Sequence, residues 1–400
     1  MTEIGRRRML AGIAGLTTAG LGVAGCGSQS RTTAAGIGPN GMARNAAAAT
    51  TAPAVTAAPA APSVLWRHEI ASGLAGLVAA DGVVCTGITS GGMTDASGVY
   101  AMDAATGEQA WTHRGEEAVI PWAAGSGMVY CAATGGVAAL SSSTGKVAWM
   151  SGAGALGSMP LVYADGAVYA AFLETTGNVI AAFDGETGHR QWSTTTPQPV
   201  TALAAADGAV YLGWANSMTS GELTALDAAT GAHRWTTSLG TIPGQLAITS
   251  GVVAVSTSAQ TGQPKTFATV ALDSKAGRIL WREPNAGAQT LAAGGGVVCT
   301  SPAPLAARHA RTGKRIWQRT DAQDQARQLI MADGLLYADR FPPLRVLSAA
   351  TGQPLWGYAD SAPPGSHAEQ SFMAVADGVV FAAFTDVQHS NSGWAYAVRN

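Results

Sequence analysis

The sequence predicts an all-β fold, an eight-bladed β-propeller of four-stranded antiparallel blades closed by an N-terminal strand. Three observations predict it. A glycine four residues before a tryptophan recurs seven times, a two-residue turn recurs eight times, and one further tryptophan stands alone at the start of the repeats. Composition agrees, because 51 glycines in 400 residues without a collagen period imply many tight turns and short strands. A unit of about 40 residues holding four short strands is the pattern of a propeller blade.

The recurring pairs are Gly107/Trp111, Gly145/Trp149, Gly188/Trp192, Gly231/Trp235, Gly277/Trp281, Gly313/Trp317 and Gly352/Trp356. The turns are Asp81-Gly82, Ser126-Gly127, Asp165-Gly166, Asp207-Gly208, Ser250-Gly251, Gly295-Gly296, Asp333-Gly334 and Asp377-Gly378. Such dipeptides supply the positive φ that tight hairpins require. Five residues before each turn glycine stands a large apolar residue: Leu77, Trp122, Leu161, Leu203, Leu246, Leu291, Leu329 and Met373. This column is expected to be buried. In the first repeat the strands are expected at Leu74–Ala80, Val83–Thr86, Val99–Asp103 and Gln109–Trp111.

Eight turns face only seven pairs. The missing tryptophan is Trp66, in Ser63-Val64-Leu65-Trp66, while the last repeat reaches Tyr396-Ala397-Val398-Arg399-Asn400 where its outer strand should begin. The N-terminal strand is therefore expected to complete the last blade, leaving no unfinished edge in a ring of residues 63–400.

Upstream lies a targeting signal. Arg6, Arg7 and Arg8 precede an apolar stretch from Met9 to Gly25, a signal-peptide pattern and not a stable membrane span. Gly5-Arg6-Arg7-Arg8-Met9-Leu10 resembles a twin-arginine export motif, although a basic n-region also serves the general route. Val23-Ala24-Gly25-Cys26 resembles a bacterial lipobox. That resemblance implies a signal peptide at 1–26, a lipidated Cys26, and an extracytoplasmic protein anchored to the outer face of the cell membrane. Residues 27–62 are dominated by Ala, Thr, Pro and Gly and cannot build a core. A disordered spacer that tethers the propeller is expected there.

Formal net charge is −2 and the basic residues are scattered, so there is no electrostatic footprint for nucleic acid. The lipid anchor is the expected link to membrane. His68, His113, His189, His233, His309, His367 and His389 show no metal-ligand spacing, and no nucleophile elbow, P-loop or EF-hand is present. No catalytic, metal or cofactor residue is assigned, and no cofactor is expected. Trp122 falls in the apolar column and reads as core. Trp214 and Trp394 fall near connections between second and third strands, where an aromatic is a candidate binding anchor. Cys85 and Cys131 occupy similar places in adjacent repeats. They are expected as thiols, since facing sheets lie about 10 Å apart and a disulfide needs Cα atoms within roughly 7 Å.

Ala101-Met102-Asp103-Ala104-Ala105-Thr106-Gly107-Glu108-Gln109-Ala110-Trp111 resembles the tryptophan-docking motif A-x-D-x-x-T-G-x-x-x-W of the quinoprotein dehydrogenases. Ala225 to Trp235 matches it fully, and Ala271 to Trp281 departs in Ala276. The resemblance covers residues 63–400. It implies that Trp66, Trp111, Trp149, Trp192, Trp235, Trp281, Trp317 and Trp356 stack between neighbouring blades. The Asp column departs at Ser141, His309, Ser348 and Arg399, where looser turns are expected.

The same repeats occur in non-enzymatic relatives, among them the propeller lipoprotein of the outer-membrane β-barrel assembly machinery and ectodomains of bacterial receptor kinases. Catalytic quinoproteins carry a vicinal cysteine pair, a calcium site and an Asp base. This sequence has no adjacent cysteines, and its repeats are close to minimal length. The expected function is a non-catalytic binding or scaffold module, holding a protein or cell-envelope ligand on one propeller face. The alternative is a pyrroloquinoline-quinone-dependent oxidoreductase with its site in the central funnel.

Overall fold

A computed structural model describes residues 62–399, apart from the connecting segments 71–72, 91–94, 115–118, 134–135, 153–160, 175–176, 218, 260–265, 286–289, 302–303, 321–325, 340–343, 359–367 and 387–391. Residues 1–61, with Cys26, the lipobox and the spacer, lie outside the described residues.

Among the described residues, thirty-two strands, β1 to β32, form eight four-stranded sheets. After β1 (Ser63–Ile70), blade 1 contains β2 (Gly73–Ala80), β3 (Val83–Ser90), β4 (Asp95–Asp103) and β5 (Gln109–Arg114). Blades 2 to 7 follow as β6–β9 (119–150), β10–β13 (161–195), β14–β17 (200–238), β18–β21 (242–285), β22–β25 (290–319) and β26–β29 (328–358). Each of these blades pairs its strands in chain order, antiparallel throughout. The second, third and fourth strands of blade 1 run further than the repeat pattern predicts, because the backbone ladder continues through Ile88 and Gly98 to Ser90 and Asp95 and from Gly98 to Arg114. Val83 to Ser90 pairs with Asp95 to Asp103 along almost its whole length.

The last blade breaks chain order as expected. β30 (Ala368–Ala376), β31 (Val379–Asp386) and β32 (Ser392–Arg399) are joined by β1, with Ser63 opposite Arg399 and Ile70 opposite Gly393. Leu65 is the extra residue of a bulge between Val64 and Trp66, and this places Trp66 opposite Ala397.

The hairpin turns have positive φ at both central residues, for example 53° at Asp81 and 77° at Gly82. This geometry matches the twist of the flanking strands, and an Asp or Ser followed by Gly tolerates it. The core lies between blades. Eight apolar clusters each join one blade to the next, from blades 8 and 1 (Trp66, Leu77, Met102, Phe381) round to blades 7 and 8 (Ile330, Tyr337, Met373, Phe384). The predicted apolar column is buried in seven blades, and Trp122 packs against the cluster of blades 2 and 3 while half-buried.

Candidate functional site

The docking tryptophans show how the repeat makes a rigid frame. Trp66 donates its indole N–H to the carbonyl of Ala104 in blade 1 at 2.9 Å. Trp111, Trp149, Trp192, Trp235, Trp281 and Trp317 donate in the same way to Ser142, Gly185, Ala228, Ser274, Ala310 and Ala349 of the following blade, at 2.6–3.0 Å. Each ring lies flat on the glycine of that blade's outer turn. A Cβ at Gly107, where φ is 74°, would stand 2.5 Å from the Trp66 indole. Glycine is required there twice over, by its conformation and by the approach of the ring.

Trp356 is the exception. It is buried, yet among the described residues its indole nitrogen has no hydrogen-bond partner. In blade 8 the outer strand arrives from the N-terminus, so no glycine turn links β32 to it. The residue at the glycine position, four before Trp66, is Pro62. Proline cannot adopt the positive φ of the other seven turns.

The carboxylates of the outer turns are structural. Asp103 Oδ1 accepts the N–H groups of Ala105 and Thr106 and the Thr106 hydroxyl at 2.9–3.1 Å. The Thr106 amide is the main cause that holds its carboxyl below the usual range. Arg234, with the Thr230 hydroxyl, brings Asp227 down to about 2. The Thr187 hydroxyl lowers Asp184, and the Ala276 amide lowers Asp273. The looser turns expected at Ser141, His309 and Ser348 are not observed. Gly145, Gly313 and Gly352 N–H bond back to these residues at 2.8–2.9 Å, as Gly107 does to Asp103. The backbone closes the turn by itself and the carboxylate adds bonds to a geometry already fixed.

A second column escaped the sequence reading. Tyr130, Tyr169 and Tyr211 place their hydroxyls on Gly185, Ala228 and Ser274, the carbonyls that Trp149, Trp192 and Trp235 also use. All three stand three residues after a turn glycine. That regular spacing was the available signal.

The two candidate anchors are not brought together, since Trp214 lies on β15 (Ala209–Ser217) in blade 4 and Trp394 in blade 8, across the ring. Strand alternation turns Trp214 into the cluster between blades 3 and 4, where it is 5% exposed, so the indole presents no surface to a partner. Trp394 is half-buried, with the Arg67 guanidinium 4.5 Å over its ring. Cys85 and Cys131 share the cluster between blades 1 and 2 as free thiols, and Cys299 is a third. Burial pushes all three thiols far up, the opposite of what a reactive cysteine needs.

The two faces of the ring differ. On one, every inner hairpin is a two-residue turn and every link from third to fourth strand in blades 1 to 7 spans five residues, such as 104–108. On the other, the connections vary from two residues between Ile70 and Gly73 to ten between Met150 and Leu161. The first face is a repeated framework. The second differs from blade to blade, which is what selective recognition needs.

The family model described as outer membrane protein assembly factor BamB matches residues 95–318 and 266–399. The chain belongs to that family. Among curated proteins none matches it. Solved structures share the propeller fold with this BamB-family chain. BamB from Moraxella catarrhalis is 15% identical, with 85% of this chain and 98% of that one covered and a TM-score of 0.56. The computationally designed Ika8 protein is 16% identical over 82% and 97%, with a TM-score of 0.60. Quinohemoprotein alcohol dehydrogenase from Comamonas testosteroni is 14% identical over 84% and 76%, with a TM-score of 0.56.

The last neighbour raises the question of a quinone with its calcium. The described residues do not fit that group. Among them no set of three or more His, Cys, Asp or Glu is placed to hold a metal ion, and the three cysteines are single and buried in separate strands.

Proposed function

We propose that the protein is an extracytoplasmic lipoprotein, anchored through Cys26, that acts as a non-catalytic scaffold and holds a protein partner on the face with variable connections. The contrast between the two faces carries the reading: one repeats its turns in every blade and the other changes length from two to ten residues. The family's description as an assembly factor supports a role in holding other proteins. Leu173, at the variable face and 52% exposed, is an apolar contact of the kind such a surface offers.

A photo-crosslinker at Leu173 should capture a partner in intact cells, while one at Lys146 on the repeated face should not. Capture from Lys146 alone would reverse the assignment of faces. Cys26→Ser should leave unprocessed precursor or release the protein from membranes. Unchanged maturation and membrane association would refute the anchor. Stoichiometric binding of pyrroloquinoline quinone with calcium, followed by turnover of an alcohol, would replace the scaffold by the enzyme.

A further inference from the structure

Basic residues that are scattered along the chain meet on the repeated face of blades 5 and 6. Lys275 and Arg278 lie in the outer turn of blade 5, and Arg311, Lys314 and Arg315 in and just after that of blade 6. All are exposed. The two turns are neighbours, because Trp281 of blade 5 docks on Ala310 of blade 6 and Arg311 reaches back to Asp273 at 3.2 Å. Asp273 is the only carboxylate in 273–278 and 309–315. Among the described residues Lys275, Arg278 and Lys314 have no ion-pair partner, and Arg311, although bonded to Asp273, is 61% exposed. The inner hairpins of these blades are uncharged as well, with Ser250-Gly251 and Gly295-Gly296 where blades 1, 3, 4, 7 and 8 have Asp-Gly. Across the ring the balance reverses. Blade 1 places Asp81, Asp103 and Glu108 on this face, and blade 3 Asp165, Asp184 and Glu186, while Arg190 of blade 3 is paired with Glu174.

The chain that precedes the propeller reaches it on this same face. β1 begins at Ser63 opposite Arg399, and Arg399 pairs on its other side with Val379, the first residue after the inner hairpin of blade 8. Residues 27–62 therefore join Cys26 to the repeated face and not to the variable one. A flexible chain of that length has a root-mean-square span of roughly 30–35 Å. An anchor at Cys26 thus holds the repeated face beside the bilayer, at an effective concentration on the order of millimolar. Contact under those conditions needs few cations, since each Lys or Arg near an anionic leaflet strengthens binding about fivefold.

We infer that the repeated face of blades 5 and 6 rests on the anionic lipid headgroups of the membrane that holds the anchor. The choice of occupant rests on the reading of Cys26: an acidic protein would match the charge equally, but the tether brings the bilayer to this face. Guanidinium and ammonium groups suit phosphodiester oxygens. The acidic turns of blades 1 and 3 are repelled by the same surface, so the ring stands tilted, with blades 5 and 6 against the headgroups. The variable face then points away from the bilayer, where a protein partner can reach it.

In the test, the intact lipidated protein is reconstituted in vesicles of phosphatidylcholine, alone or mixed with phosphatidylglycerol, with a photo-crosslinker at Thr312 in blade 6 or at Ala105 in blade 1. Thr312 should capture lipid in the anionic vesicles and not in the neutral ones, and Ala105 in neither. Combining Lys275→Glu, Arg278→Glu and Lys314→Glu should lower the yield at Thr312 by about tenfold or more. The melting temperature of that variant should not change, since none of the three residues holds an ion pair. Comparing the two lipids needs no charge reversal and decides even if the reversed protein does not fold. Equal capture in both lipids, equal capture at Ala105, or full capture after charge reversal would each overturn the assignment, as would capture of a protein and no lipid at Thr312 in cells. The mass of the purified protein reads the anchor separately. If Cys26 carries no lipid, cosedimentation replaces crosslinking: retention by anionic vesicles alone, lost on charge reversal, supports the contact, and absence of retention overturns it.

Discussion

Two glycines with the same backbone conformation separate the roles that glycine plays in this ring. Gly82 and Gly231 have φ of 77° and 71°. A Cβ on Gly82 meets nothing within 4 Å, whereas one on Gly231 would stand 2.5 Å from the Trp192 ring. Gly82→Ala should therefore cost about 1–2 kcal/mol, the strain of the left-handed region alone. Gly231→Ala adds overpacking and should lose roughly 2–5 kcal/mol in denaturant unfolding. Equal losses would mean that the tryptophan girdle yields without cost. The turn carboxylates give a pH signature at the same scale. Asp227 has a folded-state value of about 2 against an ordinary 3.8, and Asp103, Asp184 and Asp273 are also lowered. The unfolded chain then binds more protons as pH falls, so this stabilisation is complete above about 4 and disappears through about 2. Melting temperature should drop across that window, and Asp227→Asn should flatten the drop. An unchanged slope in the variant would show that Asp227 does not contribute.

At the scale of the strand and its docking residue, Trp356 is the informative element. Trp235 donates to Ser274 at 3.0 Å, while Trp356 has the same place in its blade, the same burial and, among the described residues, no acceptor. Phenylalanine retains most of the buried ring and removes the N–H. Trp235→Phe removes a hydrogen bond and leaves the Ser274 carbonyl only the longer Tyr211 hydroxyl contact, at 3.5 Å, so it should cost about 1 kcal/mol more than Trp356→Phe, where no such bond is lost. Double-referenced urea midpoints would detect that difference, and identical losses would show that Trp356 finds an acceptor in solution. The count of blades, the closing strand and the docking column were legible in sequence because each rests on a residue whose geometry allows few substitutes. Glycine at positive φ and a tryptophan stacked on it repeat in register and cannot drift. The burial of Trp214 was not legible, because the repeat pattern does not show how far the second strand runs; alternation from Val210 and Leu212 carries Trp214 inward because β15 continues to Ser217. The shape of the turns at Ser141 and His309 was misjudged for another reason. Backbone hydrogen bonds alone close those turns, and backbone groups are the same in every sequence. The cationic cluster of blades 5 and 6 escaped notice because its residues belong to two repeats and meet only when the ring is built.

For the molecule as a whole, no blade owns a core. Each apolar cluster is shared by two neighbours, so a blade is stable only while both of its faces are covered. An open chain of such units would expose two faces, and closing it removes both. Here closure depends on one strand. Ser63 and Arg399, 336 residues apart, meet at its first rung, where Ser63 Oγ bonds the Arg399 carbonyl at 3.3 Å. The same strand carries Trp66, which docks on Ala104 and Gly107 of blade 1. It thus completes blade 8 and fastens it to blade 1 in a single step. Removing residues 63–67 should unpair the outer edge of β32 and vacate the place of a large buried aromatic. The aromatic alone is worth about 3–5 kcal/mol. Trp66→Ala keeps the paired backbone and removes the ring, so the difference between the two variants isolates the contribution of the paired edge. The deletion should melt well below Trp66→Ala, and hydrogen exchange in it should rise first in blades 8 and 1, next to the opened joint. If the deletion melts with the intact propeller, or if exchange rises evenly around the ring, closure by β1 does not hold the molecule together.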